Sequence, residues 1–479
     1  MAVSLNNIKY ILWFLLVICL WQSISCNDSA EERVNHSDTQ NTAYEPIQQI
    51  PKEVTFSEHI APLVHHQCMP CHRSESAGPF DLITYEDVRK RAKMIRAVTA
   101  SRYMPPWPAD ADYRHFVGER ILTDLEIKLI DTWVEQGSKE GDKSLTPAPP
   151  VYPEGSLIGK PDMVVKMEEA HKIKGNNRDN FLMVKVPFEL EQDTFIRAIE
   201  FRPDNKKLVH HVNGHIIKYA PNKKANIYGG KRIVDIEKYD NTEAFKALDL
   251  LNDDGTYPVL KPLVANYLPG VVATMYPDGI GTFNMTKKGA ILINDLHYGP
   301  SPVDTADQSH FNIFFAAGPP KRKVMETQLG THGVAPIVPP LVIPPDTVMT
   351  FTTELPVSHD ISLLTVNPHM HLLGKSFKAY AYTAEKDTIP LVYLPQWDFR
   401  WQYFYTFKKM LKIPAGATIK VEAVYDNTTD NPLNPFNPPQ TVSERNGSMR
   451  TTDEMLQFII NYTTYQSGDE NISLDLADY

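Results

Sequence analysis

The sequence predicts a multidomain protein, a small all-α domain followed by two all-β sandwich domains. Three observations predict it. At 479 residues the chain is longer than one hydrophobic core supports. From Val54 to about Gly141 the apolar spacing is helical, whereas beyond a proline-rich stretch it becomes short, β-branched and alternating. The 38 prolines against 23 glycines point to many turns and edge strands. At 42% hydrophobic and 22% charged the chain is too apolar to be mostly disordered. Its 48 basic and 58 acidic residues leave a net charge of −10, which excludes a general nucleic-acid binder.

Taken in order, Lys9 and the apolar run Tyr10 to Trp21 read as an export signal over residues 1–25. Cys26 follows Ser25 and leaves two outcomes open, simple cleavage or a lipid anchor as the only membrane attachment. The implied location is the bacterial periplasm or cell envelope. Residues 26–52 are polar and read as a flexible tether. Residues 53–142 form the helical domain. Thr84 to Arg102 carries Val88, Met94, Ile95 and Val98 at helical spacing. Thr123 and Glu126 have capping-box spacing and open a helix with Leu129, Ile130, Trp133 and Val134, closed by Gly137. Five prolines between Pro147 and Pro161 stiffen a linker at 143–160. Beyond it, Phe181 to Val186, Thr194 to Ile199, Ile361 to Val366 and Thr418 to Tyr425 read as strands. The remaining length suits two sandwiches, 161–319 and 320–479, with a seam near Gly318-Pro319-Pro320. The polar stretch Asn222 to Pro258 reads as an insertion with a short helix at Glu243 to Leu251.

Cys19, Cys26, Cys68 and Cys71 are the four cysteines, too few for a disulfide scaffold. Cys68-Met69-Pro70-Cys71-His72 matches the c-type haem attachment signature, in which two thioethers fix the porphyrin and the following imidazole ligates iron. A zinc half-site would want a second cysteine pair, and a redox dithiol a βαβ context. Met104, in a proline-braced loop after a helix, is the favoured sixth ligand and would raise the iron potential. His65, His66 and His115 compete with it. The region resembles small cytochrome c domains.

Among 16 histidines, His210-His211, His297 and His369-Met370-His371 group beyond the linker. Alternate residues on a strand share a face, so His369 and His371 can reach one ion. Adjacent His210 and His211 would face opposite ways on a regular strand, so joint ligation needs a distortion. Imidazole ligation without cysteine suits Cu, Zn, Ni or Fe.

Leu208-Val-His-His-Val212, Asp295-Leu-His-Tyr-Gly299, His369-Met-His-Leu-Leu-Gly-Lys375 and Thr452-Asp-Glu-Met455 occur in the order seen in copper type II, ascorbate-dependent monooxygenases. The resemblance covers roughly residues 160–470. It implies two jelly-roll-like sandwiches, each carrying a copper, facing across a cleft. It implies that His210, His211 and His297 hold the electron-storing copper. His369, His371 and Met455 would hold the copper that meets dioxygen and so form the catalytic set. Lys375, Tyr298 and Asp295 are candidates to line the cleft. The sequence departs from the peptide-hydroxylating members. Asn367, Gln457 and Ile459 stand where those carry an arginine, an asparagine and a tyrosine for the peptide carboxylate. That argues against a peptidyl-glycine substrate.

The resulting expectation is an exported copper-dependent monooxygenase that hydroxylates a substrate C–H bond with dioxygen. Two copper ions and one covalent haem are its cofactors. Electrons would come through the haem from an upstream donor, with ascorbate or another external reductant as the other source. A non-catalytic electron-transfer or copper-binding protein on the same scaffold is the alternative. A surface-binding sandwich with incidental histidines would not need Met455.

Overall fold

The computed structural model describes residues 44–475 except 75, 153–154, 262–265, 270, 272, 278, 282 and 446–449. The export leader, Cys26 and the tether up to residue 43 lie outside the described residues. Among the described residues no helix is long and apolar enough to cross a membrane. The protein is mostly β, with sandwich-like antiparallel sheets and few helices.

The helices come first: α1 (Ala61–Gln67), α2 (Tyr85–Lys90), α3 (Ala92–Ala100) and α4 (Asp124–Glu135). Both ends of the capping box at α4 form. Thr123 Oγ1 accepts from the Glu126 amide at 3.2 Å, and the Glu126 carboxylate accepts from the Thr123 amide at 2.7 Å. The stretch expected as one helix from Thr84 breaks at Arg91 (φ −114, ψ 8), and beyond it Ala92, Ile95 and Thr99 are buried. Phe56, Leu63, Val64, Val88, Ile95, Leu129, Ile130 and Trp133 form this segment's core.

Composition assigned residues up to 52 to a flexible tether, and the structure corrects this from Tyr44 onward. Tyr44 donates to Glu126 at 2.5 Å and stacks on His66, and Ile47 and Ile50 pack on the helical core. Three apolar side chains spaced through a polar stretch are enough to dock it, a signal that average composition hides.

The chain between α3 and α4 does not stay with the helices. Ala109 and Phe116 belong to the core of the C-terminal β half, and Phe116 forms a β-bridge with Phe407. The Asp110 amide donates to Tyr393 O, the Val117 amide to Thr406 O, and the Arg114 guanidinium to Pro390 O. Residues 107–117 are therefore a strap clamped onto the C-terminal sandwich.

The first β half contains β1 (Met163–Lys166), β2 (Asn180–Glu189), β3 (Thr194–Arg202), β4 (Val209–Lys218), β5 (Lys288–Tyr298) and β6 (His310–Phe315). One sheet runs β1-β6-β3 with Phe283–Met285 at its edge. The other runs Ile233–Asp235, β2, β5, β4, Val259–Lys261. Ile199, Phe201, Phe311 and Ile313 of one sheet meet Val184, Val186, Val212 and Ile291 of the other. The polar insertion has a structural role that its composition concealed. Ile227, Val234, Ala244, Leu248 and Leu250 pack on Met183, Ile217, Ala290 and Leu292, covering the outer face of the second sheet. Its helix, α5 (Asn241–Ala247), starts two residues before the expected point because Asp240 and Glu243 make a capping box.

The second half contains β7 (Met325–Gly330), β8 (Thr347–Pro356), β9 (Ile361–His369), β10 (Gly374–Tyr382), β11 (Thr388–Leu394), β12 (Tyr405–Ile413), β13 (Thr418–Asn427) and β14 (Gln457–Thr464). Its main sheets run β7-β14-β9-β12 and β8-β13-β10-β11. In β13 burial alternates strictly, the pattern of a strand with one face on a core and the other toward water.

Candidate metal centres

The first centre depends on a fault in a ladder. β4 and β5 pair antiparallel with Val209 opposite Tyr298 and His211 opposite His297, so His210 is one residue too many. This bulge lets adjacent histidines share a side, which a regular strand forbids. His210 and His211 then lie 4.9 and 5.0 Å from His297, ring centre to ring centre. One nitrogen from each of the three rings falls within 4.8 Å of the others.

Carboxylates orient two of these rings from behind. His211 Nε2 lies 2.8 Å from Asp295 Oδ2, and His297 Nε2 lies 2.7 Å from Asp179 Oδ1. With Nε2–H donated outward, each Nδ1 presents its lone pair inward. His210 Nδ1 and His211 Nδ1 face each other at 3.4 Å, and His297 Nδ1 is buried without a hydrogen-bond partner. Three converging nitrogens, one of them orphaned, fit a cation that accepts imidazoles. Burial, reinforced by His297 and His211, pushes His210 down to about 3, which keeps it in the neutral, ligating form. Burial alone would raise the Asp295 carboxyl. His211, His297 and His369 outweigh it and hold Asp295 below the ordinary carboxylate range.

The second centre sits where β9 ends. His369 is the strand's last residue, and His371 lies past the strand's end, opening the turn at 372–373, rather than continuing the strand face. Their rings are nonetheless 5.1 Å apart and perpendicular. His369 Nδ1 bonds Gln402 Oε1, and His371 Nδ1 bonds the Asp453 carbonyl at 2.9 Å. Both Nε2 atoms are thereby left as the free donors, the opposite choice from the first centre. A buried carboxylate pins the turn: Glu454 accepts from the His371 amide at 2.9 Å, the Leu373 amide at 2.7 Å and the Met455 amide at 3.2 Å. Burial pushes Glu454 up to about 8 despite these three donors. Met455, 2% exposed, follows on the same loop, its carbonyl held by Tyr425 Oη at 2.7 Å. Gly374 is required here. A Cβ would lie 2.5 Å from the Trp397 ring, whose Nε1 donates to the His371 carbonyl at 3.0 Å.

A cleft of about 180 Å³ opens beside the second centre, lined by His369, His371, Asp295, Asn367, Gln402 and Gln457 among others. No lysine or arginine is among the described residues lining it. Asp295 holds His211 and also lines this cleft, so the two histidine groups share it. The other candidates for the cleft wall lie elsewhere. Lys375 pairs with Asp426 at 2.9 Å, and Tyr298 is fully buried with its hydroxyl on Asp307.

In the helical segment Cys68 follows α1 directly, and no disulfide joins Cys68 and Cys71. His72 Nδ1 lies 3.0 Å from the Phe80 carbonyl, leaving Nε2 as its free donor. A Cβ on Gly78 would sit 2.8 Å from His72 Nδ1 and 2.7 Å from the Cys71 carbonyl, so the loop closes this tightly only with glycine. Burial pushes the Cys68 thiol up to about 12. Met104 lines a cleft of about 870 Å³ together with Trp107, Arg120, Leu122, Trp397 and Trp401. Arg120, which lines this cleft, acts electrostatically on both thiols, while Cys68, Cys71 and His72 are not among the described residues lining it. The competing histidines have other partners. His65 Nε2 lies 3.4 Å from Ile83 O, His66 stacks on Tyr44, and exposed His115 pairs with Glu119 at 3.0 Å. Two thiols and a backed imidazole at this spacing are the residue types a covalent haem takes.

Sequence reasoning missed Asp179, Gln402 and Glu454. Glu454 lies inside the Thr452-Asp-Glu-Met455 motif and was legible there. Asp179 and Gln402 belong to no motif.

Residues 337–469 match the family described as copper type II ascorbate-dependent monooxygenase, C-terminal domain. The matched span contains His369, His371 and Met455, and it supports a copper-dependent oxidoreductase of the monooxygenase type. No curated protein matches the chain. Among solved structures, the major capsid protein P2 of bacteriophage PM2 is 7% identical (TM-score 0.22; 64% of this chain, 99% of that one). The infectious bursal disease virus VP2 subviral particle is 9% identical (TM-score 0.16; 67% and 76%). Likenesses this weak carry no argument.

Proposed function

We propose that this protein is an exported monooxygenase that uses two coppers to hydroxylate a C–H bond of a non-anionic substrate and draws electrons through a covalent haem. The observation that carries the reading is the pair of oppositely wired histidine centres sharing Asp295. Three converging imidazoles form one, and His369 and His371, each engaged through Nδ1 with Nε2 left over, form the other. The family match over 337–469 supports copper at the second centre.

Copper at the two centres would supply dioxygen reduction and C–H hydroxylation, and haem would supply electrons. The chain's own residues do the rest. His210, His211 and His297 would hold the electron-storing ion, with Asp179 and Asp295 fixing ring tautomer. His369, His371 and Met455 would hold the oxygen-side ion, and a thioether beside two imidazoles favours Cu(I). Cys68, Cys71, His72 and Met104 would hold the haem. Asn367, Gln457 and Ile459 line the substrate cleft without a cation. An anionic substrate would lose its charge-assisted partner there, so we assign one without negative charge.

Metal analysis of the purified full chain tests this, with two coppers and one iron expected. Acid–acetone treatment should leave the colour on the protein. Met455→Ala should abolish substrate-dependent oxygen uptake while copper at the three-histidine centre is retained. Free extraction of the haem, or copper content indifferent to all six ligand substitutions, would refute the assignment.

A further inference from the structure

A polar cleft of about 540 Å³ lies on the first β half and shares no described lining residue with the cleft beside the histidine centres. Part of its wall is a row of cationic side chains across one sheet. In the ladder β1-β6-β3, Lys166 stands opposite His310, and His310 opposite Arg202. Their chain neighbours Val165, Phe311 and Phe201 are buried in the core, so the pleat turns all three to the outer face. Like charges gathered across a sheet repel each other. Burial first, then Arg202 and Lys166, hold His310 below its ordinary range, so it stands neutral between them.

The chain leaving β3 adds Lys206 and Lys207 to the same cleft. Buried Asp307 fixes this turn. Its Oδ1 accepts from the Asn205 amide at 2.8 Å, and Ser309, bonded to the same carboxylate, accepts from the Asp204 amide at 3.3 Å. Neutralisation is thin by comparison. Glu200 accepts from the Leu157 amide at 2.7 Å and from Asn312 at 2.8 Å, and reaches Arg202 only at 3.5 Å. Asp204 is the one acid among the described residues lining the cleft, against Lys166, Arg202, Lys206 and Lys207. Glu75 and Glu154, next in sequence to the lining residues Ser76 and Gly155, lie outside the described residues. This concentration of positive charge occurs in a chain whose net charge is −10.

We propose that this cleft binds a dianionic tetrahedral oxyanion, a phosphate or phosphate monoester, held by Lys166, Arg202 and Lys207. Arg202 offers a planar fork to two oxygens, and the lysines act as point charges. At about 540 Å³ the cleft has space for the organic part of an ester as well. None of the residues assigned to copper or haem is among those described as lining it, so the site stands whether or not those assignments do. An anion bound here would bridge the loop after His72, the linker at Gly155 and the sheet.

Calorimetric titration of the purified full chain with inorganic phosphate, and separately with glycerol 3-phosphate, tests this. Saturable binding at one site is expected, and sodium chloride at matched ionic strength should not reproduce it. Lys166→Gln/Lys207→Gln, both exposed positions, should weaken binding by about tenfold or more. The charge-matched control Lys408→Gln/Lys412→Gln, on β12, should bind as wild type does. Phosphate should raise the unfolding temperature of the wild type and of the control, and not of the Lys166/Lys207 variant. Tighter binding of glycerol 3-phosphate would assign an ester as the ligand, and equal binding free phosphate. Absence of binding in the wild type overturns the proposal, as it would if the chain's own acids neutralise the cleft. Equal weakening in the control variant also overturns it, because the attraction would then belong to the whole surface.

Discussion

The two histidine centres solve one problem, gathering imidazoles, with opposite means. The first is built inside a sheet, where a bulge in β4 supplies the geometry and carboxylates back the rings. The second is built where β9 stops, backed by a carbonyl and an amide and fastened by Glu454. A ring backed by a carboxylate becomes a stronger donor, whereas one backed by a neutral acceptor does not. The comparison teaches that the first centre's character is electrostatic and the second's is mechanical.

Substitutions should therefore fail differently at the two. The largest effect is expected at Glu454. Glu454→Leu strands three buried amides, costing about 2–5 kcal/mol at roughly 1–3 for each unsatisfied group, partly relieved by relaxation. Chemical denaturation reads the loss, and copper should leave the second centre alone. Asp295→Asn weakens the backing of His211 and should reduce copper affinity at the first centre by about 10–100-fold with little change in stability. The same change at Asp179, whose side chain is half exposed, should fall at the low end of that range. Equal losses at the two would break the electrostatic account. Gly374→Ala should cost about 1–3 kcal/mol by driving Trp397 off the His371 carbonyl. Retained second-centre copper in that variant would show that the turn tolerates movement.

The smallest expected effect concerns pH. His215 is half-buried on the shared cleft, and burial pushes it down to about 4. Between about 4 and 6.5 the unfolded chain holds this proton and the folded chain does not, so stability falls as pH falls through that window. His215→Gln should flatten this part of a denaturation-versus-pH curve, and an unchanged slope would remove His215 from the account.

Much of this was legible in the sequence. The alternation in Thr418 to Tyr425 and the capping box at Thr123 are local, and local signals survive translation into structure. The histidines were legible as groups, but how His210 and His211 cooperate was not. A bulge arises from the register of β4 against β5, which nothing in either segment states alone. The turn carrying His371 was likewise hidden, since H-x-H reads as a strand face until Glu454, more than eighty residues away, folds it back. Asp179 and Gln402 were invisible for the same reason: their partners are remote in the chain. The polar insertion misled because its few apolar residues are dispersed, yet together they roof a sheet.

The strap at residues 107–117 has a consequence for how the chain can be cut. Its contacts with Tyr393, Pro390 and Thr406 and the burial of Phe116 do not depend on the linker near Pro147–Pro150. A protease that nicks this linker should leave two fragments that still travel together as a non-covalent pair. The linker's length would then be free to drift, because the strap, not the prolines, fixes the spacing. The helical segment is less a passenger on a leash than a part riveted in place.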